Sequence, residues 1–169
     1  MAIDQSLKPW QILGIAVRSE IDAESFYTRL KGRVKNVILI EKLRFLALEE
    51  AHHRQMIERL LKQKFPGKPA DVPEKSLIPL VAADLDDRAS VPDLFAAALR
   101  AEEVSEAFYE EAGELAADEG SRRMLAYLGR VERSHQAMIK SELALIEKFP
   151  DYYDVEDFHI AQDLFHVGP

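Results

Sequence analysis

The chain has no cysteine and little glycine or proline among its 169 residues. Without cysteine it cannot form a disulfide, an iron–sulfur cluster, a zinc site with thiolate ligands or a thiol nucleophile. It has only seven glycines and eight prolines, and four of the prolines fall between positions 66 and 79. The rest of the chain can therefore run as long helices, because few residues interrupt them.

The sequence also lacks long apolar runs and basic stripes. No apolar stretch approaches the roughly 20 residues of a membrane-spanning helix, and the N-terminal sequence MAIDQSLKPW lacks the apolar core of a signal peptide. The formal net charge is −8, and no cluster of lysine and arginine suits a phosphate backbone. We therefore expect a cytoplasmic protein with no nucleic-acid or membrane partner.

Four segments have the spacing of apolar residues that is typical of amphipathic helices. Serine residues at the starts of the first and third segments are predicted N-caps. The predicted helices run from Ser6 to Gly32, from Asn36 to about Lys64, from Ser90 to about Ala117 and from Ser121 to about Lys148.

The helical spacing fails between Phe65 and Ser90, which predicts a long connection with an apolar segment or short helix over 78–85. We predict one domain over residues 1–149 and a C-terminal tail over 150–169. His159 and His166 lie in this tail. They could form a separate metal site or fold over the bundle, although a solvated or partner-docked tail is favoured.

The second half of the chain repeats the first at an offset of 82 residues. AVRSEIDAESFY, from Ala16, aligns with ALRAEEVSEAFY, from Ala98, and Ala, Arg, two Glu, Phe and Tyr are identical at matched positions. This internal duplication predicts that residues with the same role occur twice.

Two overlapping E-x-x-H motifs occur in the sequence FLALEEAHHRQMI, residues 45–57. The repeat distinguishes them, because Glu50 and His53 recur in the second half, whereas Glu49 and His52 fall on Val and Ser. Helical geometry turns the second pair about 100° away from the first. We therefore predict that Glu49 and His52 face solvent.

Each half thus supplies one glutamate on its first helix and an E-x-x-H pair on its second. The i, i+3 spacing puts a carboxylate and an imidazole on one helix face, close enough to bind the same ion. Four carboxylates and two imidazoles form the ligand set of dinuclear carboxylate bundles and suit iron or manganese. The alternative is a bundle that keeps these residues as an internal polar network. The predicted metal ligands are Glu20, Glu50, His53, Glu102, Glu132 and His135.

Two tyrosines lie on the same helix stripe as the lone glutamates. Tyr27 follows Glu20 by seven residues, and Tyr109 follows Glu102 by the same spacing. Each tyrosine could serve core packing. Each could instead hydrogen-bond a ligand carboxylate and pass a proton during catalysis.

With these motifs the sequence resembles the rubrerythrin branch of the ferritin-like superfamily, over residues 6–148. The resemblance implies an all-α ferritin-like four-helix bundle with a long crossover between helices 2 and 3 and an internal two-fold repeat. It also implies two iron ions per chain, with manganese or a mixed pair possible. The implied roles are terminal carboxylates from Glu20 and Glu102, bridges from Glu50 and Glu132, and terminal imidazoles from His53 and His135.

Two features depart from that family pattern. Rubrerythrins carry a cysteine-rich rubredoxin module that feeds electrons to the di-iron site, and this sequence contains none. Rubrerythrins also place an additional glutamate three residues after the third-helix ligand, and here that residue is Ser105. The ligand exchange linked to the redox state of the iron therefore lacks its carboxylate.

The leading functional prediction is a rubrerythrin-like di-iron oxidoreductase that reduces peroxide or dioxygen with an external electron donor. A ferroxidase or iron-handling protein is one alternative, and a non-catalytic interaction module stapled by metal is another. A homodimer is also predicted, because the small residues of FAAALRA, at 95–101, permit close packing of a second subunit.

Overall fold

The computed structural model describes residues 3–68, 70–74 and 89–151. These residues contain no strand, and none of their helices is both long and apolar enough to cross a membrane. The architecture confirms the predicted all-α, ferritin-like four-helix bundle. Its helices are α1 (Pro9–Lys31), α2 (Val37–Lys64), α3 (Val91–Leu115) and α4 (Glu119–Lys148).

Two predicted helix starts are wrong by two residues or more. The N-cap of α1 is Lys8 and not Ser6, because Pro9 occupies the first helical position, where its fixed φ and missing N–H cost nothing. Helix α4 begins earlier than predicted, because the Asp118 carboxylate accepts a hydrogen bond from the Ser121 N–H. The N-cap predicted at Ser90 is confirmed. Helix α2 is capped by Asn36, the residue at which its predicted segment begins.

The helices pack as two hairpins, α1 with α2 and α3 with α4. Residues of the connection between the hairpins contact the chain near both ends of α1. At one end, Gln11 donates a hydrogen bond to Asp71. At the other, Arg33 donates one to the Ala89 carbonyl. The predicted segment 78–85 and the two tail histidines lie outside the described residues, and the predicted domain boundary at residue 149 stays a prediction.

Two apolar clusters fill the bundle, with polar side chains at the level between them. One cluster gathers side chains near the start of α1 and the end of α2, including Ile15 and Ile57. The other gathers side chains near the end of α1 and the start of α2, including Leu30 and Leu39. The residues between the clusters are therefore enclosed on both sides by well-packed core.

Candidate metal centre

The six predicted ligands meet at this middle level, and each is at most 4% exposed. Every helix contributes at least one of them from its inward face, which is the face that the i, i+3 and i, i+4 spacing predicts. They are Glu20 on α1, Glu50 and His53 on α2, Glu102 on α3, and Glu132 and His135 on α4.

The ligand atoms form two overlapping groups of four. Within each group they all lie within 4.8 Å of one another. Two carboxylates, Glu50 and Glu132, belong to both groups, which is the arrangement expected of bridges between two ions. The coordination roles themselves stay predictions. The groups are Glu20, Glu50, His53 and Glu132, and Glu50, Glu102, Glu132 and His135.

Each histidine lies among three carboxylates, and at least one of these comes from the opposite half of the chain. The two imidazole rings stack with their centroids 5.6 Å apart. From His53 Nδ1 the carboxylate oxygens lie 3.3 Å away in Glu50, 3.3 Å in Glu132 and 3.5 Å in Glu20. From His135 Nδ1 they lie 3.2 Å away in Glu50, 3.5 Å in Glu102 and 3.5 Å in Glu132.

Several buried polar atoms of the centre lack a hydrogen-bond partner within the described residues. They are both ring nitrogens of the two histidines and one carboxylate oxygen each of Glu20, Glu50 and Glu132. A buried polar atom without a partner costs about 1–3 kcal/mol. Divalent cations would supply the partner, and carboxylate oxygens with imidazole nitrogens suit iron or manganese. The residues therefore fit a metal centre.

Burial and mutual repulsion raise the pKa values of two of the carboxylates, Glu20 and Glu132. Burial, followed by repulsion from Glu50, raises the pKa of Glu20 to about 8. Burial and repulsion raise the pKa of Glu132 well above its usual value. Burial opposes protonation of His53, yet the surrounding carboxylates raise its pKa to about 12. A metal-free centre therefore holds protons that leave when cations bind.

The two tyrosines hydrogen-bond to glutamates of the centre, and each does so across the two halves. The Tyr27 hydroxyl on α1 donates to Glu102 on α3, and the Tyr109 hydroxyl on α3 donates to Glu20 on α1. Burial and the nearby carboxylates raise both tyrosine pKa values, so the phenols stay protonated. The two rings also pack edge-on against neighbouring phenylalanines, so core packing and a hydrogen bond to a glutamate occur together. A part in proton transfer stays a prediction.

The second E-x-x-H pair lies away from the centre. His52 is exposed and Glu49 is only half-buried. Neither residue belongs to the groups of potential ligands in the described part of the chain. Helix α2 therefore turns Glu50 and His53 inward, which is the pair that the repeat indicates.

Beside the ligands of each hairpin, a side chain of the second helix hydrogen-bonds to a glutamate of the first. This pair of contacts was not predicted from the sequence. Gln136 Nε2 donates to Glu106 Oε2 at 2.6 Å and to the Glu102 carbonyl at 3.3 Å. In the first half, Arg54 donates to Glu24 at 2.8 Å. The offset of 82 residues aligns these two pairs, so the repeat held the signal that would have found them.

A cavity of about 10 Å³ adjoins the carboxylates between α1 and α3. It has room for about one water-sized molecule. Ala23, Phe26, Ala101 and Ser105 line it together with glutamates of the centre. Ser105 thus borders the centre at the position where the resemblance expected an additional glutamate.

Comparison with known proteins identifies the family. Residues 11–143 match the Rubrerythrin family model. The chain belongs to the rubrerythrin family. Among solved structures it is similar to a hypothetical protein from Pyrococcus furiosus, with 32% sequence identity and a TM-score of 0.75, over 85% of this chain and 93% of that one. No curated protein matches it significantly.

Membership of the rubrerythrin family agrees with the chemistry of the buried cluster. The family match covers all six predicted ligands and both tyrosines. The carboxylate and imidazole groups fit a metal site. This rubrerythrin-family chain therefore has both the fold and the donor set of a metal-binding bundle.

Proposed function

We propose that the chain is a di-iron oxidoreductase that reduces peroxide or dioxygen. The observation that carries this proposal is the pair of four-residue groups that share Glu50 and Glu132. A centre built to hold one ion would not need a second complete group. Two shared carboxylates and one imidazole per group instead provide for two ions side by side.

Bound ferrous ions would supply the two electrons of the reduction, one from each ion. The chain supplies the geometry and the charge. Four carboxylates balance the charge of two divalent cations, which allows that charge to be held in a buried site. All four carboxylates stand on helices, which position ligands more precisely than loops do.

The side chains around the centre determine what reaches it and where protons are held. The cavity beside Ser105 is too small for a large substrate, and hydrogen peroxide and dioxygen are among the smallest oxidants. Tyr27 and Tyr109 orient the carboxylates that they hydrogen-bond, and each holds a proton on its hydroxyl. These 169 residues contain no cysteine, so the electrons for repeated turnover come from a donor outside them.

The test is metal analysis of anaerobically purified protein, followed by ferrous loading and repeated additions of peroxide with a chemical reductant. We expect two irons per chain and an absorption band that appears on oxidation and disappears on reduction over many cycles. A Glu50→Ala variant should lose this behaviour, and Glu49→Ala should keep it. Fewer than two irons per chain, or a centre that reacts only once, would contradict the proposal.

A ferroxidase that passes ferric ion onward is the second candidate. The missing additional glutamate at Ser105 favours it, because the carboxylate for redox-linked ligand exchange is not there. The same experiment separates the two functions. A ferroxidase would release ferric ion after one oxidation, whereas an oxidoreductase would keep both irons through each cycle. Bound ions that never change oxidation state would instead support a metal-stapled interaction module.

A further inference from the structure

A larger cavity lies at the end of the bundle where α1 and α4 begin and α2 and α3 end. Its volume is about 230 Å³, and all four helices line it, mostly with apolar side chains. Leu13, Leu60 and Leu125 line it with buried side chains, whereas Leu115 is 42% exposed and borders its opening. We call this cavity the end pocket.

The end pocket is separate from the metal centre. Each of its three buried leucines lies seven residues from a predicted ligand on the same helix, which is about 10 Å along the helix axis. These ligands are Glu20, His53 and Glu132. A molecule in the end pocket would therefore not touch the metal ions.

The internal repeat shows that the fold itself does not require this cavity. At the offset of 82 residues, three small residues that line the end pocket match larger residues of the first half. Ala112 matches Leu30, Ala116 matches Val34 and Ser121 matches Leu39. The larger side chains are buried in the apolar cluster at the opposite end of the bundle. Because an unfilled apolar cavity lowers stability, its retention at one end points to an occupant.

An ion pair at the edge of the end pocket supplies its polar groups. Lys64 Nζ lies 2.7 Å from Asp118 Oδ1. An ammonium group has three N–H donors, so Lys64 can keep this contact and still donate to a bound molecule. Asp118 also accepts hydrogen bonds from the Ser121 N–H and hydroxyl. These contacts with Lys64 and Ser121 lower the pKa of Asp118, which therefore stays negatively charged.

We propose that the end pocket binds an uncharged aromatic molecule of one ring with a short apolar substituent, whose hydroxyl or carbonyl oxygen accepts a hydrogen bond from Lys64. An apolar cavity of about 150 Å³ holds benzene, so the larger end pocket has room for a substituted ring. Phe65 lines the end pocket and packs edge-on against Trp10, with ring centroids 5.9 Å apart. Further edge-on contact with Phe65 favours an aromatic ring over an alkyl chain. A carboxylate would meet the charge of Asp118, which favours an uncharged oxygen.

Calorimetric titration of the full chain with para-propylphenol tests the proposal. We expect saturable binding of one molecule per chain. Propylbenzene should bind about tenfold more weakly or worse, because it cannot accept the hydrogen bond from the charged Lys64. Propylbenzoate should also bind more weakly, because its carboxylate is repelled by Asp118. A wild-type chain that binds no propylphenol, or binds all three compounds equally, would overturn the proposal.

Variants that take their residues from the repeat locate the binding site. Ala112→Leu combined with Ala116→Val fills the end pocket, so the affinity for propylphenol should fall at least tenfold while the melting temperature is kept or raised. Ala107→Leu is the matched control on the same helix, since Ala107 is exposed, and it should bind like the wild type. Undiminished binding by the filled variant would contradict the proposal.

Lys64→Met tests the polar contact without filling the end pocket. Its affinity for propylphenol should fall to about that for propylbenzene, because the hydroxyl loses its donor. A preference for the hydroxyl that survives this change would overturn the role of Lys64. Metal content should match the wild type in every variant, which distinguishes a failure of the end pocket from a failure of the metal centre.

Discussion

The Tyr109 hydroxyl on α3 donates a hydrogen bond to the Glu20 carboxylate on α1. The repeat produces the matching contact from Tyr27 to Glu102. Each half of the chain thus orients the lone glutamate of the other half. Because an outer hydrogen bond fixes how a carboxylate points at its ion, the quality of either metal position depends on both halves.

Replacing Tyr109 by phenylalanine should weaken one metal position about tenfold or more, because hydrogen-bonded partners of ligands typically contribute that much affinity. Glu20 belongs to only one of the two groups, so the other position should be affected less. Titration with manganous ion, read by paramagnetic resonance, measures both affinities. Tyr127→Phe serves as the control because Tyr127 is exposed. Equal affinities for wild type and Tyr109→Phe would contradict the prediction.

Alanine at Glu50 should abolish binding of both ions, because its carboxylate belongs to both groups. Alanine at His53 should weaken one ion more than the other. The neighbouring changes Glu49→Ala and His52→Ala should leave two ions bound. Metal content after gel filtration gives the comparison directly. Similar losses from both pairs would show that the wrong E-x-x-H motif had been chosen.

Gly14→Ala should lower the free energy of unfolding by about 1–3 kcal/mol, the usual cost of overpacking. An added Cβ would lie 2.0 Å from the carbonyl oxygen of Asp71, and this backbone cannot move without breaking the contact between α1 and the crossover. Gly129→Ala is the control, because its Cβ would make only ordinary contacts, the nearest at 3.6 Å. It should be neutral or gain up to about 1 kcal/mol from helix propensity. Urea unfolding of the metal-free protein measures both, and equal effects would contradict the prediction.

The metal-free protein should lose stability as pH rises from about 6.5 to 8. The pKa of Glu20 is raised to about 8, and that of His53 from 6.5 to about 12. In this interval the folded state therefore holds more protons than the unfolded state, and stability falls with rising pH. Melting temperatures measured with a chelator present give the slope. The metal-loaded protein should lack it, since bound cations replace these protons. A rising or flat curve for the metal-free protein would be inconsistent with these shifts.

Much of the fold could be predicted because two independent patterns agree. Apolar spacing gave four helices, and the duplication fixed which polar residues face inward. Helix starts were less certain, since Ser6, Pro9 and Asp118 all resemble start signals and only local geometry decides between them. The choice of Glu50 over Glu49 came from the repeat, and the phase of α2 agrees with it.

The remaining features depend on how the hairpins face each other, and a linear pattern does not record this. The tyrosines were expected near ligand carboxylates, but nothing in the sequence indicated that each contacts the opposite half. The small residues at 95–101 show the same limit, since Ala97 and Ala98 are buried within the bundle. Close packing within a chain and between chains requires the same residue types, so only the structure shows which partner a small-residue face has.

The sharing of Glu50 and Glu132 between the two groups has a consequence for how such a chain arises. A single helical hairpin offers one glutamate and one E-x-x-H pair, so neither group of four is complete within it. An ancestral hairpin would have needed a second copy of itself to complete even one group of four ligands. Fusion of the two copies makes that encounter intramolecular, and assembly of the centre no longer depends on protein concentration. After fusion the halves were free to diverge at positions such as Arg54 and Gln136, while the three donors of each half stayed matched to those of the other.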